Sequence, residues 1–473
     1  MTTLSQRLLM ATCLLSPAAV AAQRCAAPAA SYHVRWLGAD RFGVEARFAV
    51  PTSRLALRFS EAIGRPEAQA ASIDALEGWS GDAGAAVAYR GEGTWSSVTP
   101  LTRVRYEVVA DHDAVEWTGG GIDEVASHFG DTYFFVGNAF FLHDADWPSC
   151  PIEIAFDLPE DWSILSPWPG GPRSFHASDV AHLEKNAFAM GRFTAGATDA
   201  GTMTLQWVLD ERLASIAPVL VPMMTRLPPV FADYFGATPA ERYAVVVFKG
   251  PRMDGGAFRE SFTLTLADPV RAIDALVWTH GLAHEMLHLW LGNHVRGANP
   301  AEASWFTEGF TDYLAITLGY RAGLFEAPML AQRLANVIRR VRLAPRLSPG
   351  VGLVEAGREK SDHWERIYGG GAMVALLIDA ADHDGFVAAL RDLVAHADAP
   401  VTQAGLLATL DAHTDGLGTR AFALVDAGGD FGAIIAWLGR AGVEVTGFSP
   451  DEVYVRFAGA CEADACLPSF VRR

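Results

Sequence analysis

Lysine is nearly missing from this chain: only Lys185, Lys249 and Lys360 occur in 473 residues, and the other 34 of its 37 basic side chains are arginine. Basic charge as a whole is short, 37 residues against 55 acidic ones for a net charge of −18. That balance excludes a nucleic-acid partner, because phosphates need a basic face. With the heavy alanine load, the arginine bias reads as GC-rich coding rather than as an arginine-built binding surface. Charged residues make up only 19% of the chain and apolar ones 50%, which are globular rather than disordered proportions. Past the N-terminal segment no run of about 18 uninterrupted apolar residues occurs, so the mature chain is expected to lack a transmembrane segment. The length suggests two or three domains around an ample core.

The N-terminus, MTTLSQRLLMATCLLSPAAVAAQRC, reads as a cleaved signal peptide over residues 1–22. Arg7 supplies the positive start, Leu8 to Val20 the short apolar stretch, and Ala19-Val20-Ala21 a small-residue cleavage site. As a membrane anchor the apolar stretch is too short, and Ser16-Pro17 breaks it. Arg24 directly before Cys25 argues against a lipid attachment site. The chain is therefore expected to be exported, periplasmic or secreted, with a mature charge of −19 once Arg7 is lost.

Cysteine is also scarce, and Cys13 leaves with the signal. Cys25, Cys150, Cys461 and Cys466 remain, an even number that suggests two disulfides in an oxidising compartment. Three pairings are possible. The economical one joins Cys461 to Cys466 across a short turn and Cys25 to Cys150. No pair has the spacing of a cysteine zinc site.

From about Ser31 to Ile164 the chain alternates apolar with polar or small residues, as in 32–36, 42–48, 54–59, 104–109 and 152–156. This pattern suggests a β-sandwich-like N-terminal domain over 23–172, ending at the turn-rich Ser166-Pro167-Trp168-Pro169-Gly170-Gly171-Pro172. Beyond it, residues 211–235 suggest a helix broken near Pro228-Pro229, and 242–248 and 262–266 suggest strands. Helical periodicity follows over 272–292, 302–320, 327–343, 370–383 and 386–397. The expectation is an α+β chain whose second domain, 173–447, is catalytic with a helical C-terminal part. Residues 448–473 form a tail in which 453–457 regains strand character.

The chemistry concentrates in Trp278-Thr279-His280-Gly281-Leu282-Ala283-His284-Glu285-Met286-Leu287-His288. His284 and His288 are four apart, so on a helix they share a face and can ligate one metal, with Glu285 beside the attacking water. A catalytic zinc takes three protein ligands and leaves a position open. Glu308, in Ser304-Trp305-Phe306-Thr307-Glu308-Gly309-Phe310-Thr311-Asp312-Tyr313, is the natural third. Asp312, one turn on, is placed to accept the free ring N–H of a ligating histidine. The aromatic residues framing this pair imply burial. His280 and His294 carry no assigned contact to the metal.

These two segments resemble the gluzincin metallopeptidases, most closely the glycyl-aminopeptidase family and more distantly the alanyl aminopeptidase and leukotriene A4 hydrolase family. The spacer 289–307 is 19 residues, one more than in the latter family. The resemblance extends through Arg321-Ala322-Gly323-Leu324 and Ile367-Tyr368-Gly369-Gly370-Gly371-Ala372-Met373-Val374, with weaker traces at Asp157-Leu158-Pro159 and Trp162. It implies a thermolysin-like domain and a peptide substrate attacked by zinc-activated water. His284, His288 and Glu308 would be the ligands, Glu285 the general base and Tyr368 the donor to the oxyanion. From the residues alone, the three glycines after Tyr368 would leave its hydroxyl uncrowded.

The pattern breaks upstream. These families carry a glycine-rich strand with a glutamate for the substrate's free amine. Here the stretch is Met253-Asp254-Gly255-Gly256-Ala257-Phe258-Arg259-Glu260-Ser261, with Phe258 at the glutamate position. Glu260, two residues on, could substitute, or Arg259 could favour an anionic substrate group. The expected substrate contacts are Gly255, Gly256, Phe258 and Glu260. The PDZ domain that often ends this family is not expected within 448–473, which is too short to hold one. The leading expectation is a zinc aminopeptidase favouring small N-terminal residues; a zinc endopeptidase or other hydrolase, and a non-catalytic zinc-binding scaffold, are the alternatives.

Overall fold

The structure is a computed structural model that describes residue 25 and residues 28–57, 66–110 and 127–472, apart from 145, 148, 202, 251–252, 268–269, 272–274, 427, 429, 450–451 and 459–466. The signal peptide and the Cys461–Cys466 pairing lie outside the described residues. Cys25 and Cys150 are joined in a disulfide with their Cα atoms 5.7 Å apart, as the economical pairing expects.

The N-terminal unit is two facing sheets. The larger runs Ser174–Ala177, Ile152–Asp157, Ala30–Gly38, Arg41–Ala56, Thr94–Val109, Ile73–Ser80 and Ala83–Ala85, with Ala88–Gly91 paired to Thr94–Val109. Alternation sorts its faces: Tyr32, Val34, Phe42, Val44, Val104 and Tyr106 are buried, and Val44 lies opposite both Val34 and Tyr106 across the ladders. The stretches 42–48 and 54–56 form one long strand rather than two, with register shifts after Arg47 and Thr52.

The smaller sheet, ordered Ser163–Leu165, Ala187–Gly191, Thr132–Val136 and Ser127–Phe129, is the middle layer. One face joins the first sheet through Phe135, Phe188 and Met190. The other packs Phe134, Val136, Ala187 and Ala189 against Val208, Ala244, Val246 and Phe248 of the next sheet. Burial on both faces explains why Thr132–Val136 and Ala187–Gly191 show no alternation.

The boundary expected at 172 therefore falls inside this unit, because Ser174–Ala177 and Ala187–Gly191 pair with its strands. The turn-rich segment is a tight connection, not a linker: Gly170 bridges Phe175 with φ +130°.

The third sheet is ordered Thr194–Asp199, Thr204–Leu209, Arg242–Gly250, Ser261–Ala267 and Asp254–Ala257, parallel in its centre with an antiparallel strand at each edge. Helix Ala217–Phe235 runs unbroken through Pro222, Pro228 and Pro229, contrary to the expected break. Burial of Leu220, Met224, Leu227 and Phe231 on one face outweighs the lost backbone bonds. It belongs to the one helical stretch among the described residues, Glu211–Phe235, with the length and hydropathy of a membrane span. The helices Ala275–Leu287, Pro300–Arg321, Ala327–Leu347, Gly371–Ala381 and His383–Ala395 follow. Leu353–Arg358, Gln403–Thr414, Leu417–Asp426 and Phe431–Arg440 were not anticipated individually. The final hairpin, Val443–Ser449 with Glu452–Phe457, straddles the expected start of the tail at 448.

Helices Pro300–Arg321 and Gly371–Ala381 touch backbone to backbone. A Cβ on Gly371 would run into the Trp305 carbonyl, and one on Gly309 into the Gly371 backbone. Gly371→Ala should destabilise the protein by about 1–3 kcal/mol through overpacking. Gly439→Ala, on a helix with open space around it, should stabilise by about 0.5–1 kcal/mol. Denaturant unfolding of both variants checks the pair of signs.

Candidate metal centre

Helix Ala275–Leu287 buries Trp278, Leu282, Ala283, Met286 and Leu287, leaving His280, His284 and Glu285 on its other side. The helix ends at Leu287, short of the expected 292, because the chain turns through Leu289 N→Met286 O and Trp290 N→Leu287 O. Trp290 drops into the core, its indole N–H donating to the Ala237 carbonyl at 2.8 Å. His288 keeps helical register through its N–H to His284 O, 3.3 Å. Its Nδ1 contacts the Leu291 carbonyl at 3.0 Å, so Nδ1–H donates and the Nε2 lone pair is free.

Helix Pro300–Arg321 starts at Asn299, whose side chain caps Glu302 N, with Pro300 in the first turn. From Ala303 to Tyr320 it is buried all round except at Thr307 and Glu308. That opening faces the histidines. Glu308 Oε2 lies 3.3 Å from His284 Nε2 and 3.5 Å from His288 Nε2, and the two Nε2 atoms are 3.1 Å apart. Three donor atoms of two imidazoles and a carboxylate, all within 4.8 Å of one another, fit a zinc ion with a position left for water. All three expected ligands are thus brought together.

Asp312 behaves differently from expectation. Its closest partner is His280, with Nε2 at 2.6 Å from Oδ1, while His284 Nδ1 is 3.7 Å away, an ion-pair rather than hydrogen-bond distance. Arg340 Nη1 holds the other oxygen at 3.2 Å, and Arg340 Nε lies 3.0 Å from Glu365. His280 therefore takes part through Asp312. Its spacing four residues before His284 was the available signal. Lys360, Nζ 2.7 Å from Glu308 Oε1, was not anticipated; it comes from 52 residues downstream, and no local motif marks it.

Tyr368 sits on a π-helical turn, Glu365–Gly370, of the kind often found at functional sites. Its ring stacks on Trp364 at 4.7 Å and lies 5.8 Å from the His284 ring. The glycines after it serve close packing: a Cβ at Gly369 would lie 2.5 Å from Arg340 Cβ, and one at Gly370 2.5 Å from Leu353.

The edge strand Asp254–Ala257 crosses the histidine helix at Gly255, where a Cβ would stand 2.6 Å from Glu285 Oε1. Gly256 follows on the alternate face and its carbonyl accepts from Thr263 Oγ1 at 3.4 Å. Phe258 turns away, packing against the layer of Phe134, Val246 and Phe248. Glu260 Oε2 lies 3.3 Å from His182 Nε2, and Arg259 Nη1 is 3.4 Å from Asp179. Neither Phe258 nor Glu260 reaches the metal centre, since the strand ends at Ala257 and the chain reverses at the junction with the N-terminal unit.

Burial resists ionisation of Glu308, but Lys360 and His288 beside it hold the carboxyl well below the usual range. Asp312 is likewise lowered despite burial, by His280 and His284. Burial raises Glu285, partly offset by His284 and His288, which makes it a better proton acceptor than an exposed glutamate. Burial and the nearby Glu308 and Glu285 charges keep the Tyr368 phenol protonated.

Residues 278–368, from the histidine helix to Tyr368, match the family model described as M61 glycyl aminopeptidase. The fold is shared with an aminopeptidase N family protein from Idiomarina loihiensis, 17% identical, with a TM-score of 0.67 over 88% of this chain and 79% of that one. An M1 zinc metallopeptidase variant from Deinococcus radiodurans, bound to a Tyr-Ser-Ala substrate, is 17% identical with a TM-score of 0.55 over 84% and 93%. No curated protein matches the chain. The structural likenesses show an α+β fold shared across most of the chain, and the family-model match is confined to residues 278–368.

Burial opposes charge on His284, but Asp312 and Glu308 more than compensate, raising its pKa from 6.5 to about 10 in the metal-free protein. A raised pKa stabilises fully below the unfolded value, and the contribution is lost as pH climbs through the folded one. The melting temperature of metal-free protein should therefore fall between about pH 6.5 and 10. His284→Gln should flatten that decline; equal slopes in both proteins would contradict the assignment.

Proposed function

We propose that this chain is an exported zinc peptidase that hydrolyses peptide bonds with an activated water, acting at N-termini with small residues preferred. The observation that carries the reading is the convergence of His284 Nε2, His288 Nε2 and Glu308 Oε2 within 4.8 Å, with Glu285 on the same helix against the Gly255 backbone. Zinc held by these three side chains would supply a Lewis acid for the scissile carbonyl and lower the pKa of water.

Glu285, its pKa raised by desolvation, accepts the proton of the attacking water and passes it to the leaving amine. Tyr368, protonated and beside His284, donates to the oxyanion. The outer side of the Asp254–Ala257 edge strand can pair with an extended peptide main chain. Export is supported by the N-terminal signal pattern and by the Cys25–Cys150 disulfide, a bond that persists in oxidising compartments. The net charge of −18 supports a partner other than nucleic acid.

One observation favours a second reading, cleavage of internal bonds. Phe258 turns away and Glu260 lies 3.3 Å from His182 Nε2, so neither residue considered for the free amine is directed to the metal centre. Glu285→Gln should retain zinc and lose about 10²–10⁴-fold in kcat, and Tyr368→Phe about 10²–10³-fold with KM little changed. Mass-spectrometric mapping of a peptide library, with free and acetylated N-termini, tests both readings. Cleavage confined to free N-termini supports the aminopeptidase, and equal cleavage of blocked peptides the endopeptidase. Zinc binding with no cleavage by wild type would leave the scaffold alternative standing.

A further inference from the structure

We infer that Lys360 is a positioning residue for the metal-binding carboxylate, an inference that rests on the metallopeptidase reading. The two oxygens of Glu308 have separate partners. Oε2 faces the Nε2 atoms of His284 and His288 at 3.3 and 3.5 Å, while Oε1 accepts from the Lys360 ammonium at 2.7 Å. A carboxylate hydrogen-bonded at one oxygen is restrained from rotating about its terminal bond, which favours the other oxygen staying aimed between the imidazoles. The bond is charge-assisted and therefore among the stronger kinds.

The lysine is itself held. Its ammonium lies 5.6 Å from the ring centres of both Trp364 and Tyr368, which stack on each other, so two aromatic faces and one carboxylate define its location. It sits on the short turn Lys360–Asp362, just before the π-helical turn that bears Tyr368. This site contains one of only three lysines in the chain.

Repulsion between the ammonium and a bound dication works in the opposite direction. Two facts limit it. The Lys360 side chain is 34% exposed, so water screens its longer-range field, whereas its partner Glu308 is 12% exposed and the hydrogen bond is direct. And Glu285, a second carboxylate close enough to feel both Glu308 and Lys360, would repel an untethered Glu308 out of the ligand position. Partners that orient ligating carboxylates are worth about 10–100-fold in metal affinity.

The test strips the full-length protein of metal and titrates zinc against a competing chromophoric chelator, for wild type, Lys360→Met and Lys360→Arg. Lys360→Met should bind zinc about 10–100-fold more weakly, and Lys360→Arg, which retains a cationic donor, should recover most of the affinity. Circular dichroism confirms that each variant is folded, and Lys360→Gln replaces the methionine variant should that one fail to fold. A Lys360→Met protein that binds zinc as tightly as wild type, or more tightly, overturns the inference and assigns the ammonium a merely repulsive effect. Failure of wild type to bind zinc at all overturns the metallopeptidase reading and this inference with it.

Discussion

Two carboxylates one helical turn apart, Asp312 buried and Glu308 at the one opening of a largely buried helix, are the constraint on which this site depends. Glu308 and Asp312 lie on Pro300–Arg321, where almost every neighbouring position is buried. An isolated charge there would be driven to neutralise, because a low-dielectric interior penalises it heavily. Both carboxylates are instead held ionised by partners from other parts of the chain: chiefly Lys360 around Glu308, and His280, His284 and Arg340 around Asp312. Without a metal, His284 supplies part of that compensation by protonation, its pKa being raised by Asp312 and Glu308. Metal binding exchanges that proton for the ion, so affinity for metal and proton chemistry are one equilibrium.

The same constraint dictates the packing around the helix. To keep water from the back of the site, Trp305, Phe306, Phe310 and Tyr313 are buried, and glycines at 309 and 371 let the neighbouring helix approach to backbone contact. Arg340 links Asp312 to Glu365 on the turn that carries Tyr368. The turn that carries Tyr368 is thus tied through charged side chains to the helix that carries Glu308 and Asp312. On the open side, Gly255 brings the backbone of the edge strand against Glu285.

Much of this was legible in the order of residues. Spacing of four put His284 and His288 on one face, and the aromatic frame around Glu308 marked a helix buried on both sides of that carboxylate. Alternation in 32–36, 42–48 and 104–109 reported a sheet with one covered face. Where both faces are covered, as in Thr132–Val136, alternation vanishes and the strand is silent. Proline read locally as a breaker misled at Pro228-Pro229, because tertiary burial of the helix face outweighed the lost bonds. Turn density at Ser166–Pro172 marked a loop correctly but not a domain edge. The glycines after Tyr368 suggested an open hydroxyl, whereas they admit Arg340 and Leu353.

What the sequence determined by itself is the chemistry within a single helical turn: which nitrogens and oxygens can converge, since helix periodicity converts spacing directly into direction. What only the tertiary structure decided is everything that depends on segments meeting at long range. Asp312 prefers His280 to the ligand it was expected to support. Phe258 and Glu260 turn toward the N-terminal unit because the chain reverses there. Lys360, one of the few lysines in a chain almost devoid of them, is bound to the ligand carboxylate from 52 residues away. Charge pairing across such separations leaves no periodic trace, because it is fixed by where the backbones pack and not by the residues that flank each partner.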